Sequence, residues 1–181
     1  HQYLDHALKA ADFTTSSKYY WSEEYQLLQR PFTIDRWDFV SDFDAKRTDN
    51  DFMGYDPQKS RVGIMFGDNI CFANGCIWLA EMLRDAGRNE EADRKEKLGR
   101  DIWRRINDLS WEGDFYRHWY PLNPEDDFDF GVDTRRQVTL SNAMALIRGL
   151  DHEKCAKIIG TYQRIRKEMP DSSTGEWYMC Y

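Results

Sequence analysis

The sequence predicts an all-α fold made of helical hairpins, and three observations support this. Residues 68–86 are apolar around nearly the whole circumference of a helix, which is typical of a buried helix. Residues 89–109 carry apolar side chains on one side only, as an outer helix does. The same order of a buried and then an amphipathic helix returns in residues 141–150 and from Asp151 onward.

Local residues predict where these helices begin and end. Gly87 stops the first helix, because glycine accepts the left-handed conformation that closes many helices. Asn89 and Asp151 are expected to cap the second and the last, since Asn and Asp accept hydrogen bonds from free helical N–H groups. Residues 1–29 are predicted to form one or two further helices with apolar residues on one face.

Two long connections separate the helical segments, at residues 30–67 and 111–139. Residues 115–120, inside the second, are predicted to form a short β-hairpin arm. Inner and outer helices in alternation indicate either an α-solenoid or a closed toroid, within one domain over residues 1–181. No fixed repeat period is visible, which disfavours helical-repeat arrays. Long loops beside inner helices favour the toroid, because such loops are often functional.

Composition argues against nucleic acid and membranes as partners and leaves carbohydrate open. The net charge is -7 and no basic patch is visible, so nucleic acid is not expected as a partner. No apolar run approaches the roughly 18 residues that span a membrane. Aromatic residues make up 15% of the chain, which suits either stacking on sugars or core packing. The cysteines form no CxxC pair, and the compartment stays undecided.

Several short motifs together carry a family resemblance. The segment Arg36-Trp37-Asp38-Phe39, followed by Ser41, resembles the Trp-Asp-Phe-Ser element of trehalases and other six-hairpin glycosidases. Four further motifs are similar to an uncharacterised bacterial branch of that superfamily: Gly67-Asp68-Asn69, Trp111-x-Gly-x-Phe115-Tyr116, Gln137-x-x-x-Ser141-Asn142 and Gly175-Glu176-Trp177-Tyr178.

The resemblance implies an (α/α)6 toroid whose active site lies where loops meet the inner helices. Such a toroid needs about twice as many helices as this sequence supplies. We therefore expect an incomplete toroid, whose uncovered faces are closed by further segments or by a homo-oligomeric partner.

Two aspartates are the candidate catalytic residues. Glycosidic cleavage needs one carboxyl that protonates the leaving oxygen and a second that activates water or attacks the sugar. The resemblance assigns the acid role to Asp38, with Trp37 in its apolar surroundings. Asp68 is the second candidate, because the start of a helix favours a carboxylate, although an ordinary cap would look the same. The resemblance also implies that the catalytic base lies beyond Tyr181.

The remaining candidates are substrate-binding residues. Polar and aromatic side chains near inner-helix starts suit sugar hydroxyls and ring faces, whereas a guanidinium suits an acidic sugar. Arg136, beside Arg135, belongs to a pair of a kind that is more often a solvated surface feature, and His118 is ambiguous. The candidates are Trp37, Asn69, His118, Arg136, Gln137, Asn142, Glu176, Trp177 and Tyr178.

These residues predict a glycoside hydrolase that acts on an oligo- or polysaccharide and uses neither a cofactor nor a metal. Two alternatives remain. A polysaccharide lyase or sugar epimerase on a similar toroid would move protons with His and Tyr, which residues 116–120 supply. A non-catalytic helical scaffold or carbohydrate-binding fragment would show no convergent carboxylates.

Overall fold

Helices form most of the computed structural model, which describes residues 2–31, 62–126 and 138–168. The helices of this part are α1 (Gln2–Ser16), α2 (Phe66–Asp85), α3 (Asn89–Ser110), α4 (Leu140–Leu146) and α5 (His152–Glu168). The prediction of a mainly helical fold is confirmed for these residues. The toroid itself stays a prediction.

Short antiparallel strands lie beside the start of α2. Strands β1 (Trp21–Ser22) and β2 (Leu27–Leu28) form a hairpin. Strands β3 (Arg30–Pro31), β4 (Val62–Met65) and β5 (Trp119–Pro121) form a sheet in the order β3-β4-β5. Because β4 leads directly into α2, the sheet fixes where that helix begins.

One prediction about these strands was wrong. Residues 115–120 do not form a separate hairpin arm, because β5 pairs with β4, with Tyr120 opposite Ile64. The backbone O of His118 also accepts the N–H of Phe66 at 3.0 Å, which ties this segment to α2. Before residue 30 the described part holds one helix, α1, which agrees with the predicted one or two, and the β1-β2 hairpin follows it. The turn of this hairpin places Gln26 at a φ of 52°.

The ends of the helices confirm some of the predicted caps and correct one. Gly87 closes α2 with a φ of +77°, and the N–H groups of Gly87 and Arg88 bond Arg84 O and Leu83 O at 2.9 and 2.8 Å. Asp151 caps α5 by accepting the Lys154 N–H at 2.9 Å. Asn89 was wrongly predicted as a cap, because α3 begins at that residue.

The cap position before α3 is taken by Arg88, which makes no capping hydrogen bond with its side chain. Its guanidinium instead bonds the carboxylates of Glu91 at 2.5 Å and Asp5 at 2.6 Å. Arg88 therefore joins α1 to the start of α3.

Helices α2 and α3 form a tight hairpin that contains much of the core. A Cβ added to Gly99 of α3 would lie 2.5 Å from the backbone O of Ala73 in α2, so the two helix backbones approach closely there. Ile70 of α2 and Ile102 of α3 are fully buried in the same core. The predicted pairing of an inner and an outer helix is confirmed for this hairpin.

One face of α2 is exposed, which corrects the prediction that the whole helix is buried. Trp78 and Met82 are 50% and 49% exposed, and Cys71 lies on the same face. Among the described residues, the elements around α2 cover only its other faces. Burial depends on neighbours, so an all-round apolar pattern does not determine it alone.

Candidate functional site

The first turns of α2 and α4 meet at one end of the molecule. A Cβ added to Gly67, in the first turn of α2, would lie 2.3 Å from the Oγ of Ser141 in α4. A larger residue than glycine would therefore force the Ser141 side chain to move. We call this meeting point, formed by Gly67, Asp68 and Ser141, the helix mouth.

Asp68 is the candidate catalytic residue at the helix mouth. It belongs to the first turn of α2, where the helix dipole favours a negative charge. Its side chain is 38% exposed, and its Oδ2 accepts a hydrogen bond from the Nε of Arg30 in β3. The guanidinium occupies one carboxylate oxygen, and solvent reaches the side chain. Such a carboxylate can accept a hydrogen bond from a sugar hydroxyl or from an attacking water.

Arg30 is the site residue that sequence reasoning missed. It is 38 residues from Asp68 in the chain, and its neighbours carry no motif. The β3-β4 pairing places Arg30 opposite Gly63, three residues before α2 begins. Only the sheet register therefore brings Arg30 beside Asp68.

Asn69, predicted to bind substrate, is fully buried and its amide is engaged inside the protein. Its Oδ1 accepts the Leu28 N–H at 2.8 Å, and its Nδ2 donates to the carbonyls of Leu28 at 3.0 Å and Met65 at 2.9 Å. These bonds hold β2 against the start of α2. The geometry favours a structural role for Asn69.

Asn142, also predicted to bind substrate, makes the equivalent connection from α4. It is fully buried; its Oδ1 accepts the Tyr116 N–H at 2.7 Å and its Nδ2 donates to the Tyr116 carbonyl at 2.9 Å. The amide thereby holds the segment before β5. A structural role is favoured here as well.

His118 and Tyr116, two of the proton movers of the lyase or epimerase alternative, are buried. His118 is 2% exposed, and its Nδ1 lies 3.2 Å from the Oγ1 of Thr139. Tyr116 is fully buried, stacks on Phe66 with ring centroids 4.1 Å apart, and donates its hydroxyl to Asn107 Oδ1 at 3.0 Å. Burial raises the pKa of Tyr116 well above its usual value. Neither side chain is placed to reach a substrate.

A tyrosine pair covers the sheet on the side of β5. The rings of Tyr25 and Tyr120 lie 5.8 Å apart, and the guanidinium of Arg117 lies 5.5 Å from the Tyr120 ring centre. Burial is the main cause that raises the pKa of Tyr25, and the neighbouring Tyr120 raises it further. The Tyr25 and Tyr120 rings both pack against the core, so they support the sheet that carries Arg30.

The other predicted site residues lie outside the described part of the chain. These are Trp37, Asp38, Arg136, Gln137, Glu176, Trp177 and Tyr178. Within the described ranges, no group of three or more His, Cys, Asp or Glu side chains could hold a metal ion. No helix in these ranges is both long and apolar enough to cross a membrane.

Comparison with family models and with curated proteins yields no match. No family model matches the chain, and a search of curated proteins finds none that resembles it significantly. Any assignment of function therefore depends on the helix mouth and on the sequence motifs.

Proposed function

We propose that this chain supplies carboxylates to a glycoside hydrolase built from helical hairpins, with Asp68 as one of its catalytic groups. The observation that carries the proposal is the position of Asp68. It is a solvent-accessible carboxylate at the point where two inner-type helices begin side by side. The motif resemblance supplies the reaction class, and the accessible carboxylate fits it.

The ion pair with Arg30 favours an acceptor role for Asp68. Glycosidic cleavage needs one carboxyl that gives a proton and another that accepts one from water or attacks the sugar. A carboxylate already bonded to a guanidinium suits the second role or the binding of a sugar hydroxyl. We assign the proton-donating role to Asp38 on the motif resemblance alone, since that residue lies outside the described part.

Burial of His118 and Tyr116 disfavours these two proton movers of the lyase or epimerase alternative, whereas Tyr120 of the same segment is half-buried. An elimination or epimerisation needs a base within hydrogen-bond reach of a carbon-bound proton. His118 and Tyr116 are 2% and 0% exposed. A non-catalytic sugar-binding role remains the competing proposal, and measured turnover separates it from hydrolysis.

The test is hydrolysis of natural oligosaccharides by the complete reading frame that contains this chain. We expect Asp68→Asn to lower turnover by about 10²- to 10⁴-fold, since positioned acid–base groups contribute that much. Asp85→Asn, at the exposed end of the same helix, is the matched control and is expected to leave turnover unchanged.

Substrates with a good leaving group separate the two aspartates. They need little protonation, so Asp38→Asn should slow them much less than natural glycosides. Asp68→Asn should slow both types of substrate. Unchanged turnover in Asp68→Asn would exclude a catalytic role for Asp68. Sugar binding without hydrolysis by the unmodified protein would favour the non-catalytic sugar-binding role.

A further inference from the structure

A pocket lies along α2, away from the helix mouth. It is bounded by α2, α3 and the turn that follows α4, and its volume is about 530 Å³. Pockets of roughly 300–1,000 Å³ are typical of small-molecule sites. Trp78 lies ten residues beyond Asp68 in α2, which corresponds to about 15 Å along the helix axis.

Arg148 gives this pocket an uncompensated positive charge. Its Nε is buried and has no hydrogen-bond partner among the described residues. Its guanidinium lies 5.6 Å from the ring centre of Trp78, within the range of a cation–π contact. The second cation, Arg100, is already bonded to Glu96 at 2.6 Å. None of the described residues that line the pocket is acidic, so Arg148 is the donor open to an anionic ligand.

The rest of the pocket provides an apolar ring surface and a hydrogen-bond acceptor. Trp78 is half-exposed, and Trp103 also lines the space. Asn74 donates its Nδ2 to the Ile70 carbonyl at 2.8 Å, and its Oδ1 accepts no hydrogen bond from the described residues. A ligand that uses all three features has a carboxylate for Arg148, an apolar ring face for a tryptophan and a hydroxyl for Asn74.

We propose that this pocket binds a uronic acid, a sugar that carries a carboxylate. A guanidinium fork matches a carboxylate, and aromatic rings offer an apolar surface to a sugar ring. A neutral sugar would leave the guanidinium of Arg148 without an anionic partner in the pocket, and a plain aromatic acid would leave the Asn74 oxygen unused. The proposal is independent of hydrolysis at the helix mouth.

The test is binding of D-glucuronate to the protein, measured by calorimetry and by Trp fluorescence. We expect saturable binding, with D-glucose at least about tenfold weaker because it lacks the carboxylate that bonds the guanidinium. Benzoate, which lacks the hydroxyls, and inorganic phosphate, which lacks the ring, should also bind more weakly than glucuronate. Arg148→Gln should weaken glucuronate binding by about tenfold or more. Arg104→Gln removes the same charge from an exposed position outside the pocket and should leave binding unchanged.

Three results would overturn the proposal. They are absence of saturable glucuronate binding, equal binding of any of the three comparison ligands, and unchanged affinity in Arg148→Gln. The comparison among ligands uses the unmodified protein, so it remains decisive if a variant fails to fold. Circular dichroism checks the fold of both arginine variants.

Discussion

Two buried asparagines perform the same task at the starts of α2 and α4. Asn69 bonds both the N–H and the carbonyl of Leu28, and Asn142 does the same with Tyr116. A side-chain amide has a donor and an acceptor side by side, so it can pair with one residue as a neighbouring strand would. Buried backbone groups that no strand reaches are satisfied in this way.

The residue-scale prediction concerns Asn142. Asn142→Ala leaves the Tyr116 N–H and carbonyl buried without these partners, and each unsatisfied group costs about 1–3 kcal/mol. We expect the free energy of unfolding, measured by urea titration, to fall by at least that amount. Asn123→Ala is the control, because Asn123 is exposed and accepts only the Glu125 N–H at 3.2 Å. Equal stability of the two variants would show that the amide is dispensable.

At the scale of elements, the spacing of α2 and α3 depends on Gly99. No side chain stands between the two backbones at that point, and an added Cβ would also lie 2.8 Å from the Cγ1 of Ile77. The close approach allows the isoleucines of both helices to reach one shared core. The glycine therefore sets the geometry of the hairpin, although a helix interior normally disfavours glycine.

The element-scale prediction compares two glycine substitutions. Gly99→Ala forces the helices apart, and overpacking of a core costs about 1–3 kcal/mol. Gly75→Ala in α2 meets nothing within 4 Å, so it should stabilise the protein by about 0.5–1 kcal/mol through helix propensity alone. Thermal and urea unfolding measure both. A Gly99→Ala variant as stable as Gly75→Ala would contradict the close packing.

At the scale of the whole molecule, ion pairs connect the N-terminal helix to the α2-α3 hairpin. Lys95 of α3 bonds Asp12 of α1, and Arg88 bonds Asp5 at 2.6 Å. The hydrogen bond from Arg88 lowers the pKa of Asp5 below its ordinary value. The apolar contact made by Leu8 and Ala11 against α2 completes this junction. Residues 83 positions apart in the chain thereby form one unit.

The prediction at this scale is the effect of Asp12→Ala. Only 9% of the Lys95 side chain is exposed, so removing its partner leaves a largely buried ammonium group unpaired. We expect a loss of about 1–3 kcal/mol in the free energy of unfolding and faster proteolysis within α1. Asp93→Ala is the control, since Asp93 is similarly exposed but pairs with Arg84, which is 39% exposed and retains Glu96. Its effect should stay within about 0.5 kcal/mol. A smaller loss of unfolding free energy in Asp12→Ala than in Asp93→Ala would show that the Lys95–Asp12 pair does not stabilise this junction.

The amino-acid sequence alone indicated the helical segments and marked some of their ends. Apolar periodicity located α2 and α3, and Gly87 and Asp151 marked ends that the structure confirms. These signals are local, because a helix bonds residues four apart and its caps lie within one turn. The same reasoning identified Asp68 as an acidic residue at the start of a helix.

Only the tertiary structure decided what those residues contact. The pairing of β3 and β5 with β4, the bond between Arg30 and Asp68, and the burial of Asn69, Asn142 and His118 all join distant parts of the chain. The pocket around Arg148 likewise combines α2, α3 and the turn that follows α4. Periodicity shows which side of a helix is apolar, but not which neighbour covers it. For that reason the exposed face of α2 was visible only in the folded molecule.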